Sequence, residues 1–303
     1  MTASDGAAWD HFGEFVCISG EYAVVGAKYD DDNGTASGSA YIFKLDGASW
    51  VQYQKLTASD GAAGDSFGCS VSIGGDYAIV GAVLDADNGT DSGSAYIFKR
   101  LGTSWIEQQK LTASDADAHD LFGLSVSISG DYAIAGAWGN EDNGPGSGSA
   151  YIFKRSGPRW TEQVKLTASD AAAGDEFGRS VALSGSTALV GAPFAFDDGA
   201  GSASGSAYLV DVATGSQIAK LTASDAAVFD WFGSSVALSG STALVGAFGN
   251  DDAGINSGSA YIFAREPIPR VCLFVIIPCI RRENLLLSGK PSVRFLNAVD
   301  IDS

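Results

Sequence analysis

Basic residues are scarce in this chain. Its 303 residues include 18 Lys and Arg against 36 Asp and Glu, a formal net charge of −18. An acidic excess of that size argues against nucleic acid or an anionic membrane surface as partner, since both are polyanions. Cysteine is sparse too: Cys17, Cys69, Cys272 and Cys279 share no repeated spacing. They do not make a disulfide framework, and inert buried thiols are expected, with a Cys272–Cys279 bridge left open. Long apolar runs are missing. The longest, Val271 to Ile280, contains Pro278 and is too short to span a membrane as a helix. Met1 leads straight into Thr2-Ala3-Ser4-Asp5 and not into a signal-peptide pattern, as expected of a chain starting at a module boundary. Gly-x-Ser-x-Gly, Cys-x-x-Cys, a phosphate loop and a histidine cluster are all absent, and His11 and His119 stand alone. No stretch sustains a helical period.

What the chain has is a repeat. A Phe-Gly pair occurs at Phe12, Phe67, Phe122, Phe177 and Phe232, each 55 residues after the last. A small-residue marker follows at a fixed distance: Val25-Gly26-Ala27, Val80-Gly81-Ala82, Ala135-Gly136-Ala137, Val190-Gly191-Ala192 and Val245-Gly246-Ala247. Gly-Ser-Ala-Tyr begins at Gly38, Gly93, Gly148, Gly205 and Gly258. A period this long and regular means modules sharing one continuous core.

The second copy shows what one module contains. Phe67 to Ile73 alternates bulky with tiny residues and reads as strand A. Gly74-Gly75-Asp76 is a hairpin turn, and Tyr77 to Ala82 is strand B. A polar loop leads to strand C, Gly93 to Lys99, and a short turn to strand D, Trp105 to Leu111. The fold class is therefore all-β: four-stranded antiparallel blades of a β-propeller, five repeats, either a closed five-bladed ring or an arc of a larger one. Gly68 is expected to let another backbone come close. Trp50, Trp105 and Trp160 read as strand-D packing, in preference to a carbohydrate platform.

With Phe-Gly in strand A and Val-Gly-Ala closing strand B, the chain resembles the FG-GAP repeat proteins, whose best-known members are the integrin α-subunit propellers. The resemblance covers Thr2 to Phe263, though only the fourth copy has the full Gly191-Ala192-Pro193. It implies a propeller used outside the cell for adhesion or ligand binding, without catalysis. Integrin-type repeats carry a calcium loop between strands A and B. This chain has only a tight turn there, so that site does not carry over. The organisation expected is repeats over 1–263, a closing strand for blade five within 264–280 (centred on Arg270 to Ile276), and an irregular tail over 281–303. A terminus that packs poorly is the other reading of that last segment.

Two sets of carboxylates stand out. The D–A loops carry an Asp pair in every copy: Asp5/Asp10, Asp60/Asp65, Asp115/Asp120, Asp170/Asp175 and Asp225/Asp230. Presence in all copies favours a loop-fixing role over a ligand site, because Asp oxygens accept backbone N–H bonds in turns. The B–C loops vary more. Closely spaced carboxylates followed by Gly suit a hard cation, which makes Asp30, Asp32, Asp85, Asp87 and Asp91 the calcium candidates, with solvated turns as the plainer alternative. In an up-and-down blade both loop sets emerge at one end, and together they hold twenty-four of the 36 acids. That face is expected to attract cations and basic protein partners. A non-enzymatic interaction module is the leading functional expectation. Its rivals are a structural spacer of a larger protein and a carboxylate enzyme on the acidic face.

Overall fold

The computed structural model describes residues 1–196, 202–264 and 299–300, and every regular element among them is a β-strand. Blade one is β1 Val16–Ser19, β2 Tyr22–Ala27, β3 Ser39–Asp46 and β4 Ser49–Leu56. Blade two is β5 Phe67–Gly74, β6 Tyr77–Ala82, β7 Ser94–Leu101 and β8 Ser104–Leu111. Blade three is β9 Ser125–Ser129, β10 Tyr132–Ala137, β11 Ser149–Ser156 and β12 Arg159–Leu166. Blade four is β13 Ser180–Ser184, β14 Thr187–Ala192, β15 Ser206–Asp211 and β16 Gln217–Leu221. Blade five has β17 Phe232–Ser239, β18 Thr242–Ala247 and β19 Ser259–Ala264, with the two-residue β20 Val299–Asp300 beside β19. In every blade the strands lie in sequence order and pair antiparallel. The A–B turns close on a glycine with positive φ, as at Gly75 (φ 59°), which is the conformation a two-residue hairpin needs. The closing strand expected at Arg270 to Ile276 lies outside the described residues, as do Cys272 and Cys279.

The first strands start later than the Phe-Gly pairs suggest in blades one, three and four. The reason is a bulge. In blade two the register jumps from Phe67↔Ala82 to Ser70↔Gly81, with Gly68 at φ +92° between them. The Phe before the bulge turns its backbone to the preceding blade instead: Phe67 N–H donates to Ser37 C=O at 3.0 Å, Phe122 to Ser92 at 3.0 Å, Phe177 to Ser147 at 3.1 Å and Phe232 to Ser204 at 2.9 Å.

Blades stack face on face. Tyr22, Val24, Ile42 and Leu56 of blade one form one buried cluster with Phe67, Val71, Val80, Tyr96 and Phe98 of blade two, and the next junctions repeat it. The rings meet edge to face, with Phe67 5.5 Å from Tyr96 and 6.0 Å from Phe98. Trp105 and Trp160 are buried in this packing, against Tyr22 and Tyr77. The five first strands border a common opening of about 260 Å³ lined by Phe15, Val71, Val126, Val181 and Val236.

The small residues explain the second marker. A methyl group added at Gly81 would lie 2.0 Å from Gly123 C=O of the next blade. The same holds for Gly26 against Gly68 (2.0 Å), Gly136 against Gly178 (1.9 Å) and Gly191 against Gly233 (2.0 Å). The carbonyl that presses there also accepts a serine hydroxyl: Ser70 Oγ to Gly123 at 2.7 Å, Ser125 Oγ to Gly178 at 2.7 Å and Ser180 Oγ to Gly233 at 2.8 Å.

One expectation is corrected. Four of the five repeated Phe side chains are fully buried, but Phe12 is only half-buried, since it packs on Tyr41 and Phe43 with no described blade in front of it. Two substitutions test the stacking. Phe122→Ala should lower stability by about 3–5 kcal/mol. Gly136→Ala should cost about 1–3 kcal/mol through overpacking, although alanine favours a strand no less than glycine. Chemical denaturation of each variant reads the change; midpoints equal to the parent's would mean the junctions are not packed this way.

Candidate acidic loop face

Antiparallel order puts the D–A and B–C loops at one end of every blade. The second Asp of each D–A pair is buried and caps its own loop: its Oδ2 accepts the backbone N–H three residues earlier, at 2.6 Å for Asp10, 2.7 Å for Asp65, 2.9 Å for Asp120, and 2.8 Å for both Asp175 and Asp230. The first Asp of each pair accepts the hydroxyl of the Gly-Ser-Ala-Tyr tyrosine, from Tyr41 to Asp5 at 3.0 Å through Tyr261 to Asp225 at 2.7 Å. These geometries build the loops, as their recurrence in every copy implies.

Of the calcium candidates, the structure gathers Asp30 and Asp32 with Asp5, and Asp85 and Asp87 with Asp60. Asp91 stands apart, 3.4 Å from His119 Nδ1. In blade one the carboxylate oxygens of Asp5, Asp30 and Asp32 lie within 4.8 Å of one another, a donor set a hard cation would take. A cationic group already sits among them. Lys55 Nζ is 2.8 Å from Asp5, 2.9 Å from Asp30 and 2.5 Å from Asp32. Blade two repeats the arrangement with Lys110 at 2.8 Å from Asp60, 2.9 Å from Asp85 and 2.6 Å from Asp87. In blade three Lys165 bonds Asp115 at 2.6 Å and also Asp142, and in blade four Lys220 bonds Asp170 at 2.8 Å.

The sequence reading missed these lysines. Each stands at the same place near the end of strand D, and an alternating strand reads it as a solvent-facing charge. Only the fold brings it under loops from two other parts of the blade. Their invariance within the repeat was the available signal.

The buried centre of the network varies. Asp30 is 3% and Asp85 also 3% exposed, each bonded by a serine and a tyrosine hydroxyl: Ser39 at 2.9 Å and Tyr41 at 3.0 Å, Ser94 at 3.0 Å and Tyr96 at 3.1 Å. Blades three and five place Asn140 and Asn250 there, accepting from Ser149 at 2.9 Å and Ser259 at 2.8 Å. Blade four places Ala195, and Ser206 Oγ is then buried without a hydrogen-bond partner among the described residues.

Electrostatics divides the carboxylates into two groups. Burial pushes Asp30, Asp60, Asp115 and Asp170 upward, but hydrogen bonds from their lysines and neighbouring groups outweigh it and hold them below the usual range. The lysine bond is the largest effect at Asp5, which is also lowered. Asp65, Asp120 and Asp175 have no lysine bond, and burial raises them. In blade five, Asp252 is raised mainly by its hydrogen bond with Asp225. Elsewhere on the chain, burial pushes the Cys69 thiol up to about 12, as expected of an inert cysteine.

Two expected outcomes follow. The raised carboxylates bind protons more tightly when folded, so their unfavourable contribution fades as pH falls from neutrality through their folded values. The lowered ones contribute stability above the unfolded Asp value of about 3.9 and lose it as pH falls through their folded values. The melting temperature should therefore rise as pH falls from neutrality through the folded values of the raised carboxylates, and fall again as pH drops below the unfolded Asp value of about 3.9. A profile flat from pH 7 to the peak would contradict the assigned directions. Lys110→Met should destabilise by about 1–3 kcal/mol at neutral pH, because it leaves buried Asp85 facing Asp60 and Asp87 without a counter-charge. Thermal melts of the variant across pH should show the loss shrinking as the carboxylates protonate.

Comparison with known families agrees with this architecture. The FG-GAP repeat matches at residues 1–43, 50–98, 105–153, 160–210 and 216–263, one match for each copy. No curated protein matches the chain. Five matches in register with five blades, whose junctions are built from the Phe-Gly and Gly-Ala markers themselves, place this chain in the FG-GAP repeat family.

Proposed function

We propose that the chain is a non-enzymatic binding module working outside the cell, and that its acidic loop face takes a basic segment of a protein partner. The carrying observation is the outer carboxylate of each lysine network. Asp32 is 56%, Asp87 63% and Asp142 55% exposed, so each offers a solvent-facing oxygen while the lysine beneath neutralises only part of the local charge. Arranged blade after blade at one end of the molecule, these groups make a ladder of negative charge rather than a single pocket. Such a ladder suits an extended partner with several cations. The family is generally non-enzymatic, and the recurrence of the network in successive blades fits a surface better than a single reaction centre.

A calcium-bound form of the same face has one observation in its favour, the three-carboxylate set of Asp5, Asp30 and Asp32. Calcium would have to displace the Lys55 ammonium. A rise in melting temperature with millimolar calcium, but not with equal ionic strength of sodium, would support it.

The binding reading is tested by titrating the chain with an oligolysine peptide, and with oligoglutamate as control. Oligolysine should bind at low salt and weaken about tenfold or more toward physiological salt, while oligoglutamate should not bind. The combined change Asp32→Asn, Asp87→Asn and Asp142→Asn should weaken oligolysine at least about tenfold. Absence of binding at low salt would leave a structural spacer as the function.

A further inference from the structure

In the first two junctions between blades, a pair of rings closes the end opposite the acidic loops. Tyr22, which opens the second strand of blade one, packs edge to face on Trp105 of blade two, with ring centroids 5.7 Å apart. Tyr77 and Trp160 repeat the contact one blade on, at 5.6 Å. Both tryptophans are 2% exposed, sealed in with Ile73 and Phe98 in the first case and with Ile128 and Phe153 in the second. The junction between blades four and five has the frame of this contact without its rings. Thr187 opens the second strand where Tyr22 and Tyr77 do, and Ile218, two residues before Lys220, stands where blade one has Tyr53 before Lys55. The place of Trp105 falls past Ala264 in blade five, outside the described residues. Among the described residues the result is a cavity of about 340 Å³. Leu209, Leu238 and Phe263 form its walls, and the A–B turns of both blades, at Gly185 and Gly240, form its mouth.

We propose that this cavity binds a small neutral aromatic molecule the size of indole. It occupies the place that the fold fills twice elsewhere with an indole and a phenol ring. Its volume lies in the range of small-ligand sites, roughly 300–1,000 Å³. Its chemistry selects against charge, because no Lys, Arg, Asp or Glu lines it. An ion seated on these walls would lose hydration and gain no partner in return. Hydroxyls edge the apolar walls, from Ser184, Ser186, Thr187 and Ser241. Ser184 Oγ accepts the Gly240 N–H at 2.9 Å and so braces the two turns against each other. The others are placed to accept from one ring N–H or O–H at the mouth. A flat ring with a single hydrogen-bonding edge therefore matches walls and mouth together. The cavity lies at the end of the blades opposite the carboxylate ladder, so this inference does not rest on the basic-partner reading, and each can fail without the other.

Titration of the full chain with indole, followed by saturation-transfer NMR on the ligand and by thermal melting, tests it. Binding should saturate with a Kd of about 0.1–1 mM, the range open to a ligand of so few atoms. At about ten times Kd the melting temperature should rise by about 2–3 °C. Thr187→Tyr restores the residue of the first two junctions and fills the cavity from blade four. It should weaken indole at least about tenfold while keeping the parent's β circular dichroism. If that variant fails to fold, Ile218→Tyr, the residue that blade one carries at this place, fills the same space from the other wall. A parent that does not bind indole up to about 10 mM overturns the proposal, whether the cavity stays open to water or is closed by residues of this chain after Ala264. Binding that the filling substitution leaves unchanged overturns it too, since the ligand then sits elsewhere.

Discussion

Two glycines in contact set the spacing of the whole stack. Where Gly81 receives the carbonyl of Gly123, the neighbouring sheets come closer than any side chain on the second strand would allow. Much of the rest of the blade depends on that approach. The second strand must be lined with small residues on the side where the next backbone presses, which gives the Gly-Ala marker. The first strand must turn its carbonyl outward, which requires the bulge at Gly68 and its positive φ. With the bulge following it, the Phe keeps its place beside the second strand while its N–H bonds the preceding blade, and its ring falls between the tyrosine and phenylalanine of the third strand. Phe-Gly and Gly-Ala are two halves of one contact, far apart in sequence within a copy and touching only between copies.

That dependence explains how an acidic chain tolerates its own charge. The loops must fold back over each blade end to reach the next, and the groups that hold them there are carboxylates. One in each D–A loop is capped by a backbone N–H group inside its own turn. In blades one to four others surround a lysine that rises from the last strand. An ammonium placed by the fold does the work that a bound metal does in other acidic loops, with no loss of binding entropy. The buried centre tolerates change from Asp30 and Asp85 to Asn140 and Asn250, and even to Ala195, where the Ser206 hydroxyl has no carboxylate or amide among the described residues to receive it. A network that survives such replacements contributes locally and incrementally, whereas the glycine contact admits no substitute.

How much of this was legible in the sequence follows from what each element depends on. The strands were readable because alternation and turn glycines are local. Tyr77 to Ala82 and the hairpin at Gly75 are where the pattern puts them. The approach at Gly68 was readable as well, since glycine within a strand needs a reason. The bulge was not, because Phe67 to Ile73 alternates without a break and only the partner strand shows that two residues fall out of register. Among the site residues, Asp30, Asp32, Asp85 and Asp87 were marked by their clustering. Their company was not: Asp5 and Asp60 come from the preceding loop, and Lys55 and Lys110 from a strand that looks merely amphipathic. Asp91 shares the spacing of its neighbours but turns toward His119, and spacing alone cannot tell the difference.

Repetition also separates structure from recognition in this molecule. Whatever builds a blade must occur in every blade, as the tyrosine–aspartate pair and the capping aspartate do. A partner that reads one place on the surface must use what differs between copies. The position before Phe-Gly is such a place. It holds His11, Ser66, Leu121, Glu176 and Trp231, all in left-handed backbone, so the fold fixes the conformation while leaving the side chain free. Holding non-glycine residues there costs about 1–2 kcal/mol each, a strain the surrounding bonds must offset. Around Trp231 the side chains of Phe194, Phe229 and Phe248 add rings within 4.7–6.4 Å, while in blade one His11, Trp9 and Lys28 stand where blade five has Trp231, Phe229 and Phe248. In the binding reading proposed above, the carboxylate ladder would set the sign of the charge that approaches this face, and the variable residues among its loops would be what distinguishes one place along it from another.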